Sequence, residues 1–291
     1  MREIKPAKTD LTLRCLTPDD LSEADNLRAA LGWNQTISDW QRMLSLAPDA
    51  CFAAEQDGRI VGTCTTVSYG KTLAWIGMMM VHPDHRRQGI GSALLRHCVT
   101  YLRRCGVRCI KLDATPMGQP LYAGMGFLPE WTITRWEHRG SPLPIEQASA
   151  CIQPLADRHW QAIQALDTPI FGAQRDRLLQ SLAAKSQRPL VYERGDSVLA
   201  LGMLRRKATV DYLGPIAAFP GTGEPLVRCL LSGHNDQPIY WDIPDQNEPA
   251  SRLARELGFT RVRSLTRMYL DTNPVPGDPL GQWAIADPAT G

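Results

Sequence analysis

Val81-His82-Pro83-Asp84-His85-Arg86-Arg87-Gln88-Gly89-Ile90-Gly91-Ser92-Ala93-Leu94-Leu95 joins the end of an apolar run to the start of an amphipathic one. Its reading decides the fold: a strand ends, a glycine-bearing loop follows, and a helix begins. Backbone N–H groups at a helix start have no partner within the helix and point at whatever lies there. Together with the helix dipole they make a seat for an anion. Gly89 and Gly91 let the main chain approach phosphate oxygens without an intervening Cβ. Arg86 and Arg87 add charge-assisted donors.

Alternation and helical spacing organise the residues on either side. Upstream, residues 11–16 alternate as a strand, Thr17-Pro18-Asp19-Asp20 is a helix start, and a second helix covers residues 38–46. Residues 51–55 and 59–63 flank Gln56-Asp57-Gly58 as a hairpin, and residues 75–81 form the strand that enters the loop. Downstream, Leu94, Leu95, Cys98, Val99 and Leu102 mark one helix face that closes near Gly106. A strand over 107–112, a short helix over 119–125 and a strand over 127–136 follow. The order is β-α-α-β-β-β-α-β-α-β.

The same order recurs weakly in the second half. Asp113 precedes Leu121-Tyr122-Ala123-Gly124-Met125-Gly126-Phe127 and then Thr134-Arg135. Asp242 precedes Leu253-Ala254-Arg255-Glu256-Leu257-Gly258-Phe259 and then Thr266-Arg267 at the same interval. Tyr192 to Asp196 repeats the hairpin, and residues 151–166 repeat the opening strand and helix. The copies differ where chemistry belongs: Phe219-Pro220-Gly221-Thr222-Gly223 keeps the glycines but has no arginine, and Ala254 stands in the place of Tyr122. The second copy therefore reads as a scaffold or substrate wall. The expected division is 1–137 for the working domain, 138–150 for a linker, 151–270 for the degenerate copy and 271–291 for an extended C-terminal tail. Trp283 in that tail has no assigned role.

Composition narrows the classes. The chain has 291 residues, 43% hydrophobic and 21% charged, with a formal net charge of +2. That length suits two ordinary domains, and so small a charge argues against a nucleic-acid binder. The eight cysteines contain no C-x-x-C pair and the six histidines are scattered, so no metal site is expected. The first residues lack an apolar signal core and no run is long enough to span a bilayer, which leads to the expectation of a reduced, cytoplasmic setting. Monomer and homodimer both stay open.

The loop resembles motif A of the GNAT superfamily of N-acetyltransferases, Arg/Gln-x-x-Gly-x-Gly/Ala after a strand often ending Val-His-Pro. Arg86, Gly89 and Gly91 fill those positions, and Tyr122, Gly126 and Phe127 meet the later Tyr-x-x-x-Gly-Phe element. A narrower likeness to bacterial tandem-GNAT proteins rests on Gly32-Trp33-Asn34-Gln35-Thr36, Trp75-Ile76-Gly77, Leu112-Asp113-Ala114-Thr115-Pro116 and Asp242-Ile243-Pro244. The resemblance implies an α/β (α+β) fold of two tandem GNAT-like domains. Each would be a mixed, mostly antiparallel twisted sheet flanked by helices. It also implies acetyl-CoA as the cofactor. Its pyrophosphate would lie on the amides of Arg86, Arg87, Gln88, Gly89, Ile90, Gly91 and Ser92. Its pantetheine arm would pair with the main chain of Met79, Met80 and Val81 like an added strand.

Acetyl transfer from a thioester to an amine needs a neutral amine, support for an oxyanion and a proton for the leaving thiolate. Aligning the two substrates supplies much of the acceleration, roughly 7–11 kcal/mol in favourable cases. Main-chain N–H groups near Met79–Val81 are the candidate oxyanion donors. Tyr122 is the candidate acid, since a phenol stays protonated at neutral pH. Many superfamily members place Glu on the strand before motif A, but the corresponding residue here is Gly77. Asp113 and Asp242 are candidates to act near the amine, Asp113 as the base and Asp242 at the substrate. Water, or an amine that binds already neutral, are the other possibilities. Trp33 and Asn34 lie where the superfamily builds its acceptor wall, and a small-molecule primary amine is the expected acceptor. A non-catalytic acyl-CoA-binding protein is the alternative reading.

Overall fold

A computed structural model describes residues 11–144, 149–207, 209–234 and 237–291. Part of the expected linker, residues 145–148, lies outside them. Contacts divide the chain into two units. One contains the residues up to Val67 together with Met78–Tyr101; the other contains Ser68–Gly77 and Leu102–Gly291.

In the first unit, β1 (Thr12–Cys15) pairs antiparallel with β2 (Cys51–Gln56), which pairs antiparallel with β3 (Arg59–Tyr69). Helices α1 (Leu21–Ala30) and α2 (Ile37–Leu46) lie between β1 and β2 in the chain. A 3-10 turn, Pro18–Asp20, leads into α1, and Asp20 accepts from the Thr17 amide and hydroxyl. Arg14 grips both Asp20 oxygens at 2.7 and 2.8 Å, and this pairing lowers the Asp20 carboxyl to a pKa of about 2. Thr36 and Asp39 form the equivalent box at α2. Strand β4 (Leu73–Val81) ends in this unit and delivers the loop that enters α3 (Ile90–Arg104).

The second unit holds the longer run of strands. Its strands run β4, β5 (Cys109–Ala114), β12 (Thr260–Asp271), β6 (Leu128–His138), β11 (Ile239–Pro244), β10 (Asp211–Ala218), β9 (Ser197–Arg205), β8 (Arg188–Arg194) and β7 (Ile152–Pro154). The β4–β5 and β10–β11 pairs are parallel and the others antiparallel. Helices α4 (Gln119–Ala123), α5 (Trp160–Phe171), α6 (Asp176–Ala183), α7 (Gly223–Leu231) and α8 (Glu248–Glu256) fill the expected places. The second half thus repeats the element order of the first.

The repeats are interlocked rather than side by side. Strand β12, from the second copy, lies between β5 and β6 of the first; β6 in turn pairs with β11 of the second. Leu265 faces Ile133 at the centre of the β12–β6 pair. These residues stand at the same remove from Gly258 and Gly126, so a local two-fold passes between them. Trp131, Ile133, Leu265 and Ile285 form a small apolar cluster there. A larger core of Trp241, Phe259, Leu226, Leu230 and their neighbours fills the second copy.

The C-terminal segment departs from the extended tail expected of its four prolines. Residues 282–284 form β13, antiparallel to β10, and Ile285, Ala286 and Thr290 are each no more than 1% exposed. Trp75 donates its indole N–H to Pro288 O, Tyr69 donates its hydroxyl to Thr290 O, and Arg175 donates to Gly291 O. Burial of Trp283, Ile285, Ala286 and Ala289 outweighs the weak local signal of the sequence. Trp283 gains a role at the same time: its carbonyl accepts from the Trp241 indole, and its ring covers Gly223.

Candidate functional site

The loop between β4 and α3 joins a strand to a helix, the order implied by the sequence. A 3-10 turn, Pro83–His85, turns the chain after His82, whose amide donates to Val61 O. Arg87 (φ 60°) and Gly89 (φ 85°) both adopt left-handed backbone conformations. The arginine is the notable one, because a side chain is uncommon in that region. Alternating handedness makes successive amides converge, the geometry that cups an anion. No acceptor among the described residues engages the amides of Arg87, Gln88, Gly89, Ile90 and Gly91. A Cβ added at Gly89 would meet open space, so the glycine is required by its backbone angle and not by crowding. Arg86, Arg87, Gln88 and Gly89 are exposed, while Ile90 is buried and anchors the helix.

The helix behind the loop is seated closely. Gly62 on β3 has no room for a Cβ, which would lie 3.0 Å from both Leu94 Cδ1 and Met80 O. Leu94, Leu95, Cys98 and Val99 are buried, and Phe52 packs edge-on against His97 and Tyr101. α3 has no acid in its first turn and carries Arg103 and Arg104 in its last, the distribution that suits an anion at its start.

β4 is irregular next to this loop. Met78 has φ 46°, and its carbonyl accepts from the Thr63 hydroxyl at 2.8 Å. A left-handed methionine inside a strand is costly and marks a place where the neighbours hold the backbone. Met79 and Val81 are half-buried and Met80 is buried. Within the second unit, the Gly77 Cα points at the C-terminal segment: a Cβ there would stand 2.5 Å from Ala289 Cα and O. The absence of a glutamate at this strand position is therefore a packing requirement.

Asp113 and Asp242 correct the expectation made of them. Asp113 receives both Nε and Nη2 of Arg267, at 2.9 and 3.0 Å, with neither side chain more than 2% exposed. Asp242 receives Arg135 in the same manner at 2.7 and 2.6 Å, and Tyr212 Oη also donates to it at 2.7 Å. The pairing is crosswise. Each arginine belongs to one copy and each aspartate to the other, brought face to face by the exchanged strands. Burial pushes the Asp113 carboxyl up from its ordinary range and Arg267 opposes that push. With both oxygens bound to a guanidinium, these carboxylates act as struts between the copies.

The remaining candidates are placed by their own elements. Tyr122 is 8% exposed on α4, packed edge-on to Phe127 at 6.0 Å. Gly118 leaves space for its ring, since a Cβ there would be 3.0 Å from Tyr122 Cε2. Trp33 and Asn34 are half-buried between α1 and α2, where Arg28 donates to Trp33 O at 2.7 Å. The eight cysteines are free thiols, and burial raises Cys51 to about 12 and Cys109 to about 11. The four buried ones, Cys51, Cys64, Cys98 and Cys109, pack as small apolar groups. Sequence reasoning missed the C-terminal segment as a neighbour of Gly77; the apolar set Trp283, Ile285, Ala286 and Ala289 was the signal available.

In the second copy the corresponding cleft is occupied by the chain itself. β13 pairs with the last residues of β10 (Ile216↔Ala284, Ala217↔Gln282), and the Ala218 amide donates to Gly281 O. This is the strip equivalent to Met79–Val81. The Trp283 ring lies on Gly223 at the start of α7, and Asn247 fixes the segment through Leu280 O and Gln282 O.

Comparison with known proteins agrees with this architecture. Residues 17–127 match the model of the acetyltransferase (GNAT) family, and residues 163–281 match that of an acetyltransferase (GNAT) domain. The uncharacterized N-acetyltransferase YitH of Bacillus subtilis is 23% identical over 69% of this chain and 71% of its own length. The mycothiol acetyltransferase of Kineococcus radiotolerans is 26% identical over 71% of this chain and 77% of its own. A candidate acetyltransferase from Pyrococcus horikoshii superposes with a TM-score of 0.82 at 25% identity, covering 100% of this chain and 99% of that one. With one GNAT model on each half and the interlocked repeat between them, the chain belongs to the GNAT family of acyltransferases, as a tandem of two such domains.

Proposed function

We propose that the chain transfers an acetyl group from acetyl-CoA to the primary amine of a small molecule, by direct attack while both are bound. The observation that carries this reading is the run of unengaged amides from Arg87 to Gly91, left-handed at Arg87 and Gly89, at the mouth of a 15-residue helix. These amides, with Arg86, Gln88 and Ser92, would hold a pyrophosphate. The main chain of Met79, Met80 and Val81 would hold the pantetheine arm and donate to a developing oxyanion. Acetyl-CoA supplies the activated thioester.

The chain's own part in proton movement is small. Tyr122 holds a phenolic proton at neutral pH and gives it up to the departing thiolate. Gly77 offers no base, and Asp113 and Asp242 are bound to arginines. The acceptor therefore enters as the free amine or loses its proton to water, and rate should rise with pH through the acceptor's own titration. Trp33 and Asn34 supply an indole face and an amide for the acceptor. Eight free thiols, four of them buried, suit a reducing compartment such as the cytoplasm.

Thiol release from acetyl-CoA, measured against pooled amines, amino acids, polyamines and aminoglycosides, tests the reading. An amine-dependent rate is expected, and Tyr122→Phe should lower kcat roughly 100-fold while leaving acetyl-CoA affinity unchanged. Binding without turnover across the panel would leave a coenzyme-binding protein in place of an enzyme. An unaltered kcat in the variant would remove Tyr122 from the reaction.

A further inference from the structure

The cleft of the second copy is filled along β10 but not beyond it. A cavity of about 760 Å³ remains beside the loop after β10, lined by Phe219, Glu224, Arg228, Leu280, Trp283 and Ile152 among others. That volume falls within the range of small-molecule sites, and such sites are mainly apolar with few polar groups. Phe219 and Leu280 are 40% and 62% exposed, large apolar side chains left facing one opening beside an indole. Covering them would remove apolar surface from water.

The polar groups of the cavity argue against an anion. Two acids, Glu224 and Asp278, and two bases, Arg228 and Arg252, line it, so their formal charges cancel. Arg228 is held by Glu224 at 2.9 Å and by Glu256 at 3.2 Å, Arg252 approaches Glu256 at 4.0 Å, and Asp278 accepts from the Leu280 amide. An acyl-CoA has no strand edge to pair with here, because β13 already lies on it. We infer that this cavity is a second ligand site, which takes an uncharged, ring-bearing small molecule seated on Phe219, Leu280 and Trp283. The duplicated cleft has exchanged a phosphate seat for an apolar one. This inference does not depend on the acceptor proposed above.

The test uses the full chain and the uncharged fluorophore N-phenyl-1-naphthylamine, with 1-anilinonaphthalene-8-sulfonate as an anionic probe of similar size. Saturable binding of the uncharged probe at one equivalent is expected, undisturbed by excess coenzyme A. Leu280→Glu, at an exposed position whose main-chain bonds are kept, should weaken it at least tenfold with thermal midpoint and coenzyme A affinity unchanged. The sulfonate should bind at least tenfold more weakly than the uncharged probe. The inference is overturned by the absence of saturable binding, by displacement with coenzyme A, by indifference to Leu280→Glu, or by a sulfonate that binds as well.

Discussion

Two loops in corresponding places, residues 86–92 after β4 and residues 219–223 after β10, share one backbone plan and differ in what lies against it. Both follow a strand, carry two glycines and enter a helix. The first presents arginines and unengaged amides. In the second, Trp283 covers the helix start and β13 occupies the strand edge. A fold element can thus persist while its strand edge and helix start are covered by the protein's own chain.

The sharpest way to break this comparison is to place negative charge in each loop. Arg87→Glu with Gly89→Asp should weaken acetyl-CoA binding about a thousandfold, since two contacts to a charged group at about 2 kcal/mol each are lost. Gly221→Asp should leave that affinity unchanged. Calorimetry in which the two variants behave alike would end the distinction between the copies.

The struts compare the copies next. Asp113→Asn and Asp242→Asn each leave a buried guanidinium half-compensated, at about 3 kcal/mol or more. Thermal midpoints should fall by about 6–12 °C for either variant. A loss confined to one of them would show that the local two-fold is not matched in energy.

Gly77→Ala comes third. Its Cβ would meet the backbone of Ala289, with little that can yield, so a cost of about 2 kcal/mol in chemical denaturation is expected. A neutral result would mean that the C-terminal segment moves aside and that a glutamate could be accommodated on β4.

The smallest effect separates the two opening helices. In the first copy a carboxylate, Asp20, accepts the Thr17 amide; in the second an imidazole, His159 Nδ1, accepts the Ala156 amide. Arg14 depresses the Asp20 carboxyl to about 2, so its stabilisation is complete above the unfolded value near 4 and is lost as pH falls through about 2. Asp20→Asn should cost about 1 kcal/mol at neutral pH. The gap between variant and parent in denaturation should shrink steadily as pH falls from about 4 through 2; a gap undiminished at pH 2 would refute the carboxylate's role.

Much of this was legible in the sequence because it is local. The loop, the caps at Thr17 and the hairpin at Asp57-Gly58 each announce themselves within a few residues. The repeat was legible from Gly126-Phe127 and Gly258-Phe259. Strand exchange was not, because β6 and β12 carry similar patterns and neither specifies which edge it joins. Asp113 and Asp242 misled for the same reason: an acid at a strand end resembles a base until the arginine on a distant strand is seen. The C-terminal segment hid behind its prolines, which suppress periodicity without preventing burial.

The exchanged strands bear on how this tandem could change over time. Substitutions in the loop at 219–223 touch one copy, whereas substitutions around Thr134-Arg135 or Thr266-Arg267 would loosen both copies together. Resemblance between the halves should therefore outlast lost chemistry at the seam, and it is at Gly-Phe and Thr-Arg, on the two strands that cross over, that the ancestral duplication still shows. A change in either copy is felt by the other, because strands of each are woven through the other.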